Sequence, residues 1–306
     1  MDETWSVVKT DLTTAEVTVA GPIVARRLQM PLAEAAGRVR SARGILMRML
    51  ERPAAEQMAA ELSAAGIPAT AAPDVMTAPP VRPYVLRNAS ATGTSFMPHK
   101  DLGRAVDPLP WTEVKVVVAG QAPEVETRRV KVGGDRRWAL VSTAVGLVAG
   151  VPVPPRFGGS ATTRLEEHVE IRNWLDILGG DPIQHYRIDG GRFNYASILP
   201  QPAPVAEANF CYLVTGLITA APGCATNVLP CHIGQDGSLS LEVFSDIYDY
   251  EKAVTWLLAL QRLGLWNASV TSANRPPDVD VNQTLKMDYD SSTNSTLGGE
   301  ERNPFS

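Results

Sequence analysis

The sequence predicts an α+β protein, in which a small β-α-α-β-α-β module precedes a larger, strand-rich domain closed by C-terminal helices. Two observations support this prediction. Over residues 4–73, apolar residues recur at helical spacing between short β-branched runs. After residue 83, alternating and β-branched runs dominate, and two segments with a helical apolar stripe follow them. A chain of 306 residues, 44% hydrophobic and 20% charged, is long enough to bury the core that this organisation needs.

The N-terminal module has three predicted helices, and each begins at a proline: Pro22, Pro31 and Pro53. Proline suits the first helical turn because the N–H that it lacks would have no partner there. The second and third helices each have an inward row, consisting of Leu32, Ala35, Ala36 and Val39, and of Ala55, Met58, Ala59 and Leu62. Gly66 ends the third helix. Strands are predicted at Trp5–Val8, Ile45–Leu50 and Ile67–Ala71.

The second domain contains a predicted hairpin, in which His168–Leu178 pairs with Ile183–Ile188 through a glycine turn. A turn centred on Gly180 places Trp174 opposite Tyr186 as a cross-strand aromatic pair. One face of the first hairpin strand is predicted to carry Val169, Ile171, Leu175 and Ile177. Further strands are predicted at Tyr84–Arg87, Glu113–Ala119 and Glu124–Val132.

Two helices are predicted to close this domain. The first begins at Pro204, stops at Gly223 and turns inward Ala206, Phe210, Leu213 and Leu217. The second has Asp249 as its N-cap, stops at Gly264 and turns inward Tyr250, Val254, Leu257 and Leu258.

Composition predicts the domain boundaries. Residues 74–83 are proline-rich and aperiodic, which is typical of a linker between a module at 4–73 and a domain at 84–265. Residues 266–306 are rich in Asn, Ser, Thr, Asp and Pro. Such a composition buries too little apolar surface to offset chain entropy, so a disordered polar tail is predicted.

Two stretches resemble known families. MPLAEAAGRVR (30–40) resembles the G-L-x-L-x-E-A-x-x-L-V stretch in the C-terminal domain of the bacterial ribosomal stalk protein, and RPAAEQMAAELSAAGIPATAA resembles its last helix and strand. This resemblance, over residues 4–73, implies a fold that the protease adaptor for N-degrons shares. LPWTEVKVVVAG resembles the strand–turn–strand of bacterial pleckstrin-homology-like domains, which implies a small β-barrel or split sheet closed by helices within 84–265.

The stalk resemblance implies a fold and not a function. In that family the helix pair carries basic residues that contact translation factors. At the matching positions this chain has Pro22, Ala25, Ala33 and Ala36. The acidic pocket and the histidine of the degron-binding adaptors have no counterpart either.

Charge and composition argue against several classes of protein. A net charge of −5 and a pI of about 5.5 give no electrostatic reason to expect nucleic acid as a partner. The first residues contain no apolar signal region, and three cysteines do not make a disulfide framework, so a cytoplasmic protein is expected. Residues 138–155 are uncharged, but glycine and proline crowd a run that falls short of the ~20 residues of a membrane span. A buried segment is predicted there, with membrane association as the alternative.

The reactive residues do not form a known catalytic pattern. Three cysteines and one histidine come closest to a metal site: Cys211, Cys224, Cys231 and His232. Their spacing lacks the close pairs that zinc binding requires, so no metal and no cofactor is expected. Because no nucleophile elbow or phosphate loop is present, the sequence favours a non-enzymatic protein. The alternative is a hydrolase or transferase, whose site in the second domain would unite a carboxylate with His168, His185 or Cys231.

The helix pair of the module is the predicted binding surface for a protein partner. Its outward residues include four arginines and a methionine: Arg26, Arg27, Met30, Arg38 and Arg40. Arginine and methionine are enriched at interfaces, and this module is locally basic within an acidic protein. The sequence therefore predicts an adaptor or scaffold with an acidic partner, and it leaves the oligomeric state open.

Overall fold

The computed structural model describes residues 3–13, 15–99, 106–132, 162–228, 240–266 and 287–288. Its helices and strands confirm the α+β class. The N-terminal module consists of β1 (Trp5–Lys9), α1 (Val17–Leu28), α2 (Leu32–Ser41), β2 (Ile45–Leu50), α3 (Arg52–Ala64) and β3 (Ala69–Pro73). Its sheet has the order β2-β1-β3, and both pairings are antiparallel. The predicted β-α-α-β-α-β order is therefore confirmed.

Two details of the module differ from the sequence predictions. Helix α1 begins at Val17, so Pro22 lies inside it and not at its start. The earlier start places Ala20 on the module core together with Val24, and this packing outweighs the hydrogen bond that Pro22 cannot make. Leu32 is 56% exposed, so its predicted inward position is wrong; it opens α2 at the edge of the core, where it meets α1.

The remaining elements are β4 (Tyr84–Leu86), β5 (Asn88–Thr92), β6 (Ser95–His99), β7 (Leu109–Pro110), β8 (Val114–Val132), β9 (Thr162–Gly179), β10 (Gln184–Asp189), α4 (Ala206–Ala220), β11 (Ala225–Thr226), β12 (Glu242–Val243), α5 (Ile247–Arg262) and β13 (Met287–Asp288). A six-stranded sheet has the order β11-β8-β9-β10-β4, with β12 also on β8. A four-stranded sheet has the order β13-β5-β6-β7.

The β9–β10 hairpin has a different register from the predicted one. Tyr186 lies opposite Ile177, and Trp174 lies opposite Asp189. The predicted Trp174–Tyr186 pair is wrong because the turn takes up all four residues between Gly179 and Gln184, so the pairing moves by three positions.

Close contacts divide the chain into two compact units, residues 1–122 with 172–306, and residues 123–171. In the second unit Val169 and Ile171 are exposed, whereas Leu175 and Ile177, further along the same strand, are buried. In the first unit the six-stranded sheet is covered on both faces. Leu175 and Ile177 pack with α4, and the neighbouring side chains of β9 pack with α5.

Helix α5 lies between the six-stranded sheet and the N-terminal module. Nearly all its side chains from Asp249 to Leu260 are buried. Val8 and Ala72 of the module belong to the same apolar cluster as Trp256 of α5. The Trp256 indole N–H donates to the backbone oxygen of Lys9 over 2.8 Å. The module and α5 thus share one core, while the predicted division at 74–83 stays a prediction.

Charged side chains donate to the backbone of residues 74–83. Arg48 donates to the oxygen of Thr77 and Arg262 to that of Ala78, both over 2.8 Å. Of the predicted tail, the structure describes Trp266 and the strand β13, which pairs in parallel with β5. The other tail residues and the apolar run 138–155 lie outside the described residues.

Candidate binding cleft

The predicted binding arginines fall into three groups. Arg26 and Arg27 of α1 both donate to Glu61 of α3, the first over 2.7 Å. Their hydrogen bonds lower the pKa of the Glu61 carboxyl. Arg38 donates to Glu34 on its own helix over 2.9 Å. Arg40 is exposed and forms no hydrogen bond or ion pair within the part of the chain that the structure describes.

Met30, the fifth predicted residue, is half-buried and packs against the module core. The helix pair therefore does not present one continuous basic surface. Three of its arginines pair with carboxylates. The fourth, Arg40, belongs to a different feature of the molecule.

That feature is a cleft of about 790 Å³ between the end of α2 and the start of α5. Its floor is apolar, with Val39 and Leu46 from the module and Trp256 and Leu257 from α5. Clefts of this size are the usual form of a ligand site, and the lining of this one combines apolar and polar side chains in similar proportion. The rim carries both signs of charge: Arg40, Arg43, Lys252, Glu242, Asp246 and Asp249.

The cations on the rim differ in their partners. Lys252 donates to the backbone oxygen of Ser41 over 2.8 Å, next in the chain to Arg40 at the end of α2. Arg43 pairs with two of the three rim carboxylates, Glu242 and Asp249. Among the described residues, Arg40 and Lys252 form no ion pair with a carboxylate, so these two cations are left for a charged ligand.

Arg43 binds both of its rim carboxylates through hydrogen bonds. Its Nε and one terminal nitrogen donate to the two carboxylate oxygens of Asp249 over 2.8 and 2.6 Å, and its other terminal nitrogen donates to Glu242 over 2.6 Å. The guanidinium carbon lies 4.7 Å from the centre of the Phe244 ring. Burial alone would raise the pKa of Asp249, but the hydrogen bonds from Arg43 hold it below its usual value.

The backbone holds Arg43 in an uncommon conformation. Its φ is 53°, in the left-handed region that favours glycine. The next residue must be glycine, because a Cβ on Gly44 would lie 2.0 Å from the Trp256 ring. The turn into β2 therefore brings Arg43 to Asp249 at some cost in backbone strain.

The predicted N-cap of α5 is wrong by three residues. Asp246 is the cap, and its side chain accepts the backbone N–H of Asp249 over 2.8 Å. Asp249 itself lies in the first turn and binds Arg43. Exposed beside it is Tyr248, at 72%, which also lines the cleft.

A second charged cluster lies beneath α5, where Arg187 and Asp176 are sealed from solvent and the side chain of Glu251 reaches the surface. Arg187 donates to both oxygens of Asp176 over 2.8 Å each and to Glu251 over 2.8 Å. Its guanidinium carbon lies 5.7 Å from the Trp174 ring and 5.5 Å from the Tyr250 ring. Although burial opposes it, the contact with Arg187 lowers the pKa of Asp176.

His185 belongs to this sealed cluster and not to the cleft. Its side chain is 3% exposed and lies 2.9 Å from Asp176. A histidine–carboxylate pair can act in catalysis where substrate reaches it, but this pair has no open surface. His168 is exposed, in the unit 123–171.

The cysteines that the structure describes are Cys211, which is half-buried, and Cys224, which is buried. Burial raises the pKa of the Cys224 thiol to about 12, which disfavours the reactive thiolate. Within the described ranges no three side chains of His, Cys, Asp or Glu are grouped to hold a metal ion. Cys231 and His232 lie outside those ranges.

Sequence reasoning found one residue of the cleft rim, Arg40, and missed Arg43 and Lys252. The Arg43-Gly44 pair before a strand was a usable signal, because a glycine there often marks close packing. The contact between Arg43 and Asp249 joins residues about 200 positions apart, and periodicity does not reveal such contacts.

No protein-family model matches this chain, and no curated protein or solved structure matches it either. Among the described helices, none is at once long and apolar enough to cross a membrane.

Proposed function

We propose that this protein is a non-enzymatic cytoplasmic adaptor or scaffold that binds a segment of a protein partner in the cleft between α2 and α5. The observation that carries the proposal is the form of the cleft, an apolar floor beneath a charged rim on which Arg40 and Lys252 have no carboxylate partner among the described residues. Apolar centres with polar rims are typical of protein interfaces. The stalk-like fold proposed for residues 4–73 agrees with a binding role.

The rim suggests the chemistry of the partner. Arg40 has no partner among the described residues, and Lys252 donates to the backbone oxygen of Ser41. An acidic side chain of the partner would complement these two cations, and an apolar side chain would cover Val39 and Trp256. The acidic partner predicted from sequence is thereby narrowed to a segment with one apolar anchor and one acidic residue.

The walls of the cleft are held in place without a ligand. The Trp256 indole is fixed to the Lys9 backbone, and Lys252 is fixed to the Ser41 backbone. Arg43 links the end of the module to two acids on the other wall. A preformed site loses little conformational entropy on binding, which favours affinity.

A peptide-display selection on the full-length protein tests the proposal. We expect the enriched peptides to share an apolar residue near an acidic one. Arg40→Ser should weaken binding of such a peptide about 10-fold, since a charge-assisted contact contributes about 1.5 kcal/mol or more. Tyr248→Ala should also weaken it, because this exposed ring lines the cleft.

Arg38→Ser is the matched control, two positions away on the same helix and paired with Glu34. It should leave both binding and unfolding unchanged. If no peptide is enriched, or if Arg38→Ser weakens binding as much as Arg40→Ser, the cleft is not the binding site.

The alternative of a hydrolase or transferase has no specific support from His185, which is sealed. The membrane alternative depends on residues 138–155, which lie outside the described part of the chain. Both remain predictions from the sequence.

A further inference from the structure

Three carboxylates and one guanidinium are connected by contacts at the start of α5. Arg43 pairs with Glu242 and Asp249. The hydroxyl of Ser245 lies 3.2 Å from Oδ2 of Asp249 and 3.5 Å from Oδ2 of Asp246, so this third carboxylate belongs to the same group. One guanidinium offsets one negative charge, and the N-terminus of α5 adds only about half a positive charge. This group of side chains therefore keeps an excess of negative charge.

Asp246 is the member of the group that has no cation beside it. Its Oδ1 accepts the backbone N–H of Asp249 over 2.8 Å as the cap of α5. Its Oδ2 meets the Ser245 hydroxyl at 3.5 Å, and within the described ranges Asp246 forms no ion pair. The side chain is exposed and lines the cleft. One oxygen of this carboxylate is thus open to a donor from a ligand.

An exposed aromatic ring lies close to this carboxylate in the chain. Tyr248 follows Asp246 by two residues, is 72% exposed and also lines the cleft. The face of an aromatic ring attracts a cation. An arginine stacks on such a ring through its planar head and donates to a carboxylate from the edge of that head. The two side chains therefore suit a basic residue, and arginine better than lysine.

Helix geometry sets the distance between this carboxylate and the free cations of the rim. Lys252 lies six residues beyond Asp246 in the chain, which corresponds to about 9 Å along α5. Tyr248 lies one turn before Lys252, on the same face of the helix. An extended peptide advances about 3.3 Å per residue, so about three residues span this distance.

We propose that the partner segment carries both signs of charge and not acidic residues alone. A basic residue, preferably arginine, binds Asp246 and Tyr248. The acidic residue, about three positions away in the segment, binds Arg40 and Lys252, and the apolar anchor lies between them. This inference rests on the proposed binding of a partner segment in the cleft. The rim has as many cations as carboxylates, so a purely acidic segment would meet repulsion from Asp246.

Peptide display at low salt, with the full-length protein and two single variants as targets, tests the arrangement of charges. We expect peptides selected on the wild type to carry a basic residue about three positions from an acidic one. Asp246→Ser should lose the enrichment of the basic residue and keep that of the acidic one, because serine caps a helix as well as aspartate does but has no charge. Arg40→Ser should show the reverse.

Titration of one enriched peptide gives the size of the effect. Replacing its basic residue with alanine should weaken binding to the wild type about fivefold, and binding to Asp246→Ser less than about twofold. The unfolding midpoint in urea, which Asp246→Ser should leave nearly unchanged, is the control for folding.

Two results would overturn this inference and leave the proposed function standing. One is enrichment of acidic and apolar residues without a basic one on the wild type. The other is a preference for the basic residue that survives Asp246→Ser. If no peptide is enriched on the wild type, the proposed function and this inference fail together.

Discussion

The same arrangement of side chains occurs twice in this protein, once sealed beneath α5 and once on the rim of the cleft. In each place an arginine donates through Nε and a terminal nitrogen to both oxygens of an aspartate, binds a glutamate with its third nitrogen, and lies over an aromatic ring. The pairs are Arg187 with Asp176 and Arg43 with Asp249. The side chains of the first pair are 7% and 0% exposed, and those of the second are 26% and 13% exposed.

The two clusters make the same contacts, but they have different roles because they differ in burial. A sealed charge has no water to replace a lost partner, so the folded state depends on both Arg187 and Asp176. The Arg43 cluster borders an open cleft, where water or a bound ligand compensates a lost contact. A cluster of charged residues is thus a candidate binding site where it meets solvent, and a structural element where it does not.

The largest expected effect is that of Asp176→Asn. This change keeps the shape of the side chain but leaves Arg187 and His185 without their shared anion in a sealed site. We expect a loss of about 3–5 kcal/mol in the free energy of unfolding, measured with urea. A loss below about 1 kcal/mol would show that water reaches the cluster, and the contrast between the two clusters would fail.

Arg43→Ala should have a smaller effect, a loss of about 1.5–3 kcal/mol, because the pair with Asp249 is charge-assisted but partly exposed. Arg43→Gly sharpens this test. It removes the same contacts, but glycine adopts the left-handed φ of 53° without strain. We expect Arg43→Gly to be about 1 kcal/mol more stable than Arg43→Ala. Equal stability of the two variants would show that residue 43 is not strained.

Near the ordinary pKa of aspartate, a fall in pH should begin to remove the contribution of each cluster to the free energy of unfolding. The folded pKa values of Asp176 and Asp249 are lowered, so each carboxylate stabilises the folded state above its unfolded pKa. That contribution is lost as the pH falls through the folded value. At about pH 3.9 the loss should already have begun for each group. Asp249→Asn should reduce this acid dependence in urea titrations; an unchanged profile would contradict the lowered pKa of Asp249.

The candidate site was only partly accessible to sequence reasoning. The composition of the helix pair identified Arg40, which lies on the cleft, but placed it with Arg26 and Arg27, which bind Glu61. Whether an arginine is compensated depends on which helix packs beside it. The number of arginines on the helix pair was therefore readable from the sequence, but which of them pair with carboxylates was not.

The sequence by itself determined the elements of the module and their order, because apolar spacing and the proline before α2 act within a few residues along the chain. It also placed the β9–β10 hairpin, but not its register, since the register depends on how many residues the turn takes up. Only the tertiary structure decided that α5 is covered by the module on one side and by the sheet on the other. That burial turns Asp249 from an expected cap into the partner of Arg43, and it places Asp176 at the centre of a buried cluster that no sequence pattern indicated. Local periodicity records which side chains are apolar, whereas the contacts that give a charge its role join residues that are distant in the chain.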